Sequence, residues 1–246
     1  MIRSSFLTYW TGKDIERNID NLNETAHDMY LERLWSILES GIWMNRIEEK
    51  VIGWSDTDPN STITMQIPMT CFTELRLSQS KEHYSRYGLL GIVVDRQFVL
   101  TRQGGPVFYI RSHADEIIVG NLRQMLEWID CQSKRGTPDA DVILKNFSVP
   151  ISYLKAMSTS DSDDFENLDE NEWRIVHTDK GEKMGLIKPT VQSKPKYLIP
   201  LTPPDLKMIV LPDSHIRNKI IEDNRIANWF NYNFPPLLTV SEVGEF

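Results

Sequence analysis

Two glutamates separated by one residue, Glu170 and Glu172, form the carboxylate pair best suited to catalysis. They precede the strand-like run 173–177, and in an extended chain residues two apart point to the same side. Both carboxylates would therefore line one cleft if Asn171 is extended. Such a pair suits chemistry at a glycosidic bond, where one carboxylate stabilises developing positive charge and the other orients a nucleophile. The alternative is that both glutamates simply end an acidic surface loop.

A second candidate is the segment Tyr9-Trp10-Thr11-Gly12, at the end of a predicted strand over 6–11. It offers an aromatic ring, a hydroxyl group and a backbone exposed by glycine, which together could hold a flat, amide-bearing ring. The alternative is a core tryptophan followed by a helix cap at Thr11.

Further aromatic residues lie between positions 71 and 88. A predicted strand containing Phe72 breaks there into a helix carrying His83, Tyr84 and Tyr87. These rings could stack on a nicotinamide or on a nucleic-acid base. No partner for His83 lies nearby in the sequence, so a structural histidine is the alternative to a catalytic base.

Several other chemistries lack their sequence signatures. The chain has no phosphate-binding loop, no His-Glu-x-x-His zinc helix and no Gly-x-Ser-x-Gly elbow. Its five histidines are scattered, and Cys71 and Cys131 are isolated, so we expect neither a metal site nor a disulfide framework. The net charge of −8 disfavours a protein that coats nucleic acid through a broad basic surface.

The periodicity of apolar residues predicts one α+β domain over residues 1–246, with an acidic loop at about 158–170. Strands are expected at 6–11, 62–67, 89–94, 106–110, 173–177, 197–201 and 208–211. Helices are expected after Gly12, through Leu31 to Leu38 before Gly41, through Leu122 to Ile129, before Gly88 and between 214 and 230. No stretch is long and apolar enough to span a membrane and the start lacks signal-peptide features, so we expect a cytoplasmic protein without membrane contacts.

Taken together, these motifs resemble the AbiGi family of phage abortive-infection proteins. The matching stretches are Tyr9-Trp10-Thr11-Gly12, residues 67–74, His83 with Tyr87-Gly88 and Gly91-Ile92, residues 106–110, and Asn171-Glu172-Trp173-Arg174. The resemblance runs over nearly the whole chain from Tyr9. The family has been described as an antitoxin component, yet its pattern is similar to ADP-ribosyltransferase toxins such as DarT and CmdT. The resemblance therefore implies split mixed and antiparallel sheets with flanking helices.

The same resemblance implies roles for the candidate residues in binding NAD as a substrate. Tyr9, which stands where the family usually has histidine, would contact the adenosine ribose. Thr11 and Gly12 would flank the nicotinamide amide, and Tyr87 or Tyr84 would stack on its ring. Trp10, Phe72 and His83 would also take part in cofactor binding. Glu172 would hold the ribose 2′-hydroxyl and Glu170 would orient the acceptor. Arg174 would fix Glu172 or touch the pyrophosphate, and a structural ion pair is equally compatible with its position.

The sequence hypothesis is thus a phage-defence toxin that transfers ADP-ribose from NAD to a macromolecule, with mRNA favoured as acceptor. By resemblance, such a toxin would require a cognate antitoxin as its partner, with a chaperone as a further partner. The alternatives are a non-catalytic antitoxin or regulatory binding protein that has kept the transferase-like scaffold, and an NAD glycohydrolase.

Overall fold

The computed structural model describes residues 5–53, 62–74, 76–110, 117–137, 139–157, 170–190 and 196–244. The strands are β1 (Phe6–Thr11), β2 (Ile42–Gly53), β3 (Thr62–Thr73), β4 (Leu90–Asp95), β5 (Gly105–Pro106), β6 (Phe108–Ile110), β7 (Leu154–Ala156), β8 (Glu172–Val176), β9 (Lys188–Pro189), β10 (Tyr197–Ile199), β11 (Leu206–Leu211) and β12 (Leu237–Thr239). The α-helices are α1 (Glu24–Ser40), α2 (Lys81–Tyr87), α3 (Arg96–Thr101), α4 (Ile117–Lys134), α5 (Ala140–Ile151), α6 (Asp179–Lys183), α7 (Ser214–Glu222), α8 (Asn224–Trp229) and α9 (Val240–Gly244).

Within the described residues, most strands join one mixed sheet in the order β12-β11-β4-β1-β3-β2-β10-β9. The strand β8 branches from this path by pairing with β3, and β5 pairs with β8. The pairings in this sheet are antiparallel except for β11 with β12, and the short strands β6 and β7 form a separate parallel pair. The molecule is therefore a mixed α+β fold with helices flanking a mainly antiparallel sheet.

The main hydrophobic core lies between this sheet and the helices of both ends of the chain. Leu34 and Ile37 of α1 and Ile216 of α7 pack with strand residues such as Ile92 and Ile209, and all are essentially inaccessible to solvent. A smaller cluster joins Ile110, Leu126 and Ile151, which come from β6, α4 and α5. This second cluster packs against the β6–β7 pair, and Lys155 of β7 lines the candidate site.

Several predicted elements agree closely with the structure. The strand over 6–11 is β1, and the helix that precedes Gly41 is α1, whose first turn is capped by Asn23. Gly41 has a φ of 112°, which suits glycine at a helix end. The predicted helix with His83, Tyr84 and Tyr87 is α2, and it ends at Gly88.

The helix predicted after Gly12 is wrong, because only a 3-10 turn, Ile19–Asn21, forms there. Polar side chains bind the local backbone instead: the Glu16 carboxylate accepts hydrogen bonds from the amides of Arg17 and Asn18, and Asn18 accepts one from Asp20. Such short-range bonds compete with helical hydrogen bonds.

Two other predicted elements are each divided. The single strand over 106–110 is broken at Val107, whose amide donates to the Glu172 carbonyl, so β5 and β6 belong to different sheets. The single helix over 214–230 is α7 followed by α8, because Asp223 ends the first helix and its carboxylate accepts from the first amides of the second.

The remaining expectations concern the fold class, the acidic loop and membrane-spanning helices. The α+β class is confirmed, whereas the ADP-ribosyltransferase arrangement of sheets stays a prediction. Most of the predicted acidic loop, residues 158–169, lies outside the described residues. Among the residues that the structure describes, no helix combines the length and apolarity needed to cross a membrane.

Candidate functional site

The two candidate glutamates meet at a lysine. Lys155 of β7 places its Nζ atom 2.5 Å from Glu170 Oε2 and 2.6 Å from Glu172 Oε2. Both carboxylates are about 95% buried, and the lysine side chain is 16% exposed. Because a buried charge is costly unless it is paired, this arrangement holds the two acids together in the folded chain.

A second cation pairs with Glu172 from the same strand. Residues two apart on β8 share a face, and Arg174 Nε lies 2.6 Å from Glu172 Oε1. The guanidinium is fully buried, and its Nη1 donates to the Ser152 carbonyl at 2.5 Å. The predicted common face of Glu172 and Arg174 is therefore present, in the form of a buried ion pair.

The carboxylates converge although the chain between them is not extended. Asn171 has a φ of 43°, in the left-handed region that asparagine tolerates better than most residues. Glu170 is thereby turned towards Tyr87, whose hydroxyl donates to Glu170 Oε1 at 3.1 Å. Arg86 Nη1 lies 3.7 Å from the same oxygen. The expected convergence is present, but its cause is the turn at Asn171 rather than strand geometry.

The electrostatics of this group favour fully ionised side chains. Burial alone would raise the pKa of Glu172, but Arg174 and Lys155 outweigh that effect and hold the pKa at about 2. Burial opposes the charge on Lys155, yet the two carboxylates raise its pKa above the ordinary value. With such a low pKa, Glu172 is a very weak proton acceptor near neutral pH, so it is better suited to stabilising a positive charge than to acting as a general base.

A cavity of about 730 Å³ opens beside this group. Its walls are the ends of β1 and β3 and the carboxylate pair, and the lining residues include Tyr9, Thr11, Cys71, Thr73, Glu170 and Glu172. Arg33 enters from α1, donating to Thr11 Oγ1 at 3.2 Å and to Asp14 Oδ2 at 2.6 Å. The cavity is large enough for a small polar ligand.

The predicted site residues divide into two sets. Tyr9, Trp10, Thr11, Gly12, Tyr87, Glu170 and Glu172 contribute to the cavity lining, whereas Phe72, His83, Tyr84 and Arg174 do not. Neighbouring residues on a strand face opposite sides, so Cys71 and Thr73 reach the cavity while the Phe72 ring packs in the core. Roles in cofactor binding stay predictions for both sets.

The histidine in this region has the character of a core residue. His83 is 1% exposed and lies 6.1 Å, between ring centroids, from Tyr87. Burial lowers its pKa to about 4, so the ring is neutral at physiological pH. Tyr84 likewise packs on Trp10, with 5.8 Å between centroids.

Several lining residues of the site were not among the candidates, among them three that carry ionisable or nucleophilic groups next to the carboxylates or at the cavity wall. Lys155, Cys71 and Arg33 all line the cavity. Burial, followed by the negative charge of Glu172, raises the pKa of the Cys71 thiol, so Cys71 stays protonated. The signal that could have identified Lys155 is a cation between Leu154 and Ala156 in an otherwise apolar run.

Comparison with known proteins identifies a family for the region of the chain that contains the carboxylate pair. Residues 41–196 match the family model described as "Putative abortive phage resistance protein AbiGi, antitoxin". The matched region contains Lys155, Glu170, Glu172 and Arg174, but begins after Tyr9 and Gly12, so it is narrower than the resemblance inferred from the sequence. No curated protein and no solved structure matches the chain.

Proposed function

Because the chain belongs to the AbiGi family of abortive phage resistance proteins, we propose that it is the antitoxin of a toxin–antitoxin pair, and that it neutralises its cognate toxin by binding it. The observation that carries this proposal is the match of residues 41–196 to a family described as an antitoxin. The match covers well over half of the chain and includes the buried ion pairs of Lys155, Glu170, Glu172 and Arg174.

This family description overturns the expectation that the chain is the toxin. The sequence hypothesis gave greater weight to similarity with ADP-ribosyltransferase toxins than to the antitoxin description, and that choice was wrong. The expected partner is reversed accordingly: a toxin, rather than an antitoxin, is the counterpart in the pair. Use of NAD and modification of RNA stay predictions without support from the comparisons.

The geometry of the carboxylates supports a structural role in such a binding protein. Both oxygens of Glu172 are paired, one with Arg174 and the other with Lys155. Glu170 is bonded to Lys155 and Tyr87. These buried pairings stabilise the folded chain, since loss of either partner would leave an uncompensated buried charge.

The proposal is tested by growth in a bacterial host. The gene next to that of this chain is expressed alone from an inducible promoter, and then together with this chain. We expect growth arrest in the first case and recovery in the second. The purified neighbouring protein should also co-elute with this chain in size-exclusion chromatography, because neutralisation by binding requires a complex.

The matched control replaces this chain with a version that carries an early stop codon. Arrest of growth by the full chain expressed alone would overturn the proposal, because it would indicate that this chain is itself the toxin. Failure of the full chain to relieve the neighbour's toxicity, with both proteins present at normal levels, would also contradict it.

A further inference from the structure

Two of the five histidines, distant in sequence, lie together on the face of the molecule where α1 meets α7. His27 and His215 have ring centroids 4.6 Å apart, and Glu24 lies beside both. One potential ligand atom from each of these three residues falls within 4.8 Å of the other two. The expectation of no metal rested on the scattering of histidines along the chain, and the fold brings two of them to one place.

His27 is oriented as histidine ligands of metals usually are. Its Nε2 lies 2.8 Å from Asp213 Oδ2, and since an ionised carboxylate only accepts, Nε2 carries the proton of this bond. In the neutral ring, Nδ1 then bears a lone pair. That atom is buried and has no hydrogen-bond partner among the residues described, in a side chain that is 9% exposed. A carboxylate behind the ligating imidazole is a common arrangement in zinc sites.

Only small side-chain movements are needed to bring the three ligand atoms into one coordination sphere. Glu24 Oε2 lies 3.2 Å from His215 Nε2 and 4.0 Å from His27 Nδ1. Ligands in a tetrahedral zinc site, with bonds of about 2.0–2.1 Å, are roughly 3.4 Å apart. The side chains of His215 and Glu24 are 55% and 66% exposed, so small rotations at the surface suffice while His27 stays in place.

The surrounding charges favour a cation. Three acids, Glu24, Asp28 and Asp213, surround the group, and Lys219 is the nearby basic residue. Lys219 pairs with Glu24 Oε1 and with Asp28 Oδ1, which leaves Glu24 Oε2 directed at the histidines. With neutral imidazoles, these four side chains carry a net negative charge.

We propose that Glu24, His27 and His215 bind one divalent transition-metal ion of the zinc type, which ties the first turn of α1 to the first turn of α7. Two imidazoles and one carboxylate are a ligand set that suits Zn²⁺, Co²⁺ or Ni²⁺. Water would complete the coordination. The proposal rests on these contacts alone and does not depend on the antitoxin function.

The test uses the full chain, free of affinity tags and stripped of metal with a chelator. Co²⁺ is titrated into the protein and followed by its visible absorption, and Zn²⁺ is then added in competition. We expect one ion per chain, with Zn²⁺ displacing Co²⁺. Saturating Zn²⁺ should raise the Tm by roughly 5 °C, because an ion that binds only the folded chain stabilises it.

The variants separate this site from other metal-binding groups. His215→Gln, at an exposed position that does not contribute to the core, should weaken binding at least tenfold and abolish the Tm increase. His27→Gln should do the same. The matched control is His177→Gln, since His177 pairs with Glu182 on another part of the surface and should bind metal as the wild type does.

The proposal is overturned if wild-type protein binds neither ion, or if His215→Gln binds with unchanged affinity. A thiolate-to-cobalt charge-transfer band would place the ion at Cys71 or Cys131 and would also overturn it. Circular dichroism of each variant establishes that a loss of binding is measured on folded protein. Because none of these measurements involves the toxin, their failure would leave the antitoxin proposal intact.

Discussion

At the scale of single residues, Glu172 is held in its ionised form by two buried cations, Lys155 and Arg174. Its pKa of about 2, against an ordinary value of 4.5, means that folding stabilises the charged carboxylate. Ionisation of Glu172 therefore contributes to the stability of the fold. This contribution is fully present above about pH 4.5 and is lost as the pH falls towards 2.

We therefore predict that Glu172→Gln is roughly 3–5 kcal/mol less stable than wild type at pH 7, the usual cost of removing one partner from a buried ion pair. The gap should narrow as the pH falls from 5 to 2. The reason is that protonation removes from the wild type the same charge that the glutamine lacks. Urea unfolding followed by circular dichroism at several pH values measures the gap. The exposed Glu39→Gln is the matched control and should behave as wild type. A gap that stays constant with pH would contradict this account of the site.

At the scale of elements, the junction between α2 and β1 is built around a glycine. Gly88 ends α2 with a φ of 113°, a conformation that strains any residue with a side chain. A Cβ atom there would lie 2.3 Å from the Thr11 carbonyl oxygen and 2.4 Å from the Gly12 carbonyl carbon. Since both are backbone atoms next to the cavity, neither element can shift without displacing part of the candidate site.

Substitution Gly88→Ala should destabilise the chain by roughly 3 kcal/mol or more, through the strained φ and the backbone collision. Thermal and urea unfolding measure this loss. Gly120→Ala is the matched control, because Gly120 lies within α4 and its Cβ would meet no atom within 4 Å. That variant should gain roughly 0.5–1 kcal/mol from a lower unfolded-state entropy. Equal effects of the two substitutions would argue against a tight α2–β1 junction.

At the scale of the whole molecule, an antitoxin that acts by binding needs its folded surface and not the ionised state of a buried carboxylate. Glu172→Gln should therefore still relieve the toxicity of the neighbouring gene product under conditions where circular dichroism shows the variant to be folded. The measurement is growth after co-induction, compared with wild-type chain at matched protein levels. A folded Glu172→Gln protein that no longer rescues growth would contradict this account, because neutralisation would then depend on the ionised carboxylate.

The sequence predicted much of the local structure because helix and strand periodicity reflects which side of each element faces the core. The strand 6–11 and the helix before Gly41 follow from short-range patterns of this kind. The same reasoning failed between Gly12 and Asn23, where polar side chains bind the backbone, and the apolar spacing alone did not reveal that competition.

The sequence by itself also determined the family and the α+β class, and it singled out the segment around Glu170 and Glu172 as the candidate site. Only the tertiary structure decided which charges those carboxylates meet, and that His27 lies beside His215. The physical reason is that the apolar periodicity of a helix or strand depends only on residues close together in the chain. The partner of a charged side chain depends instead on sheet order and helix packing. Those long-range arrangements are set by the whole core.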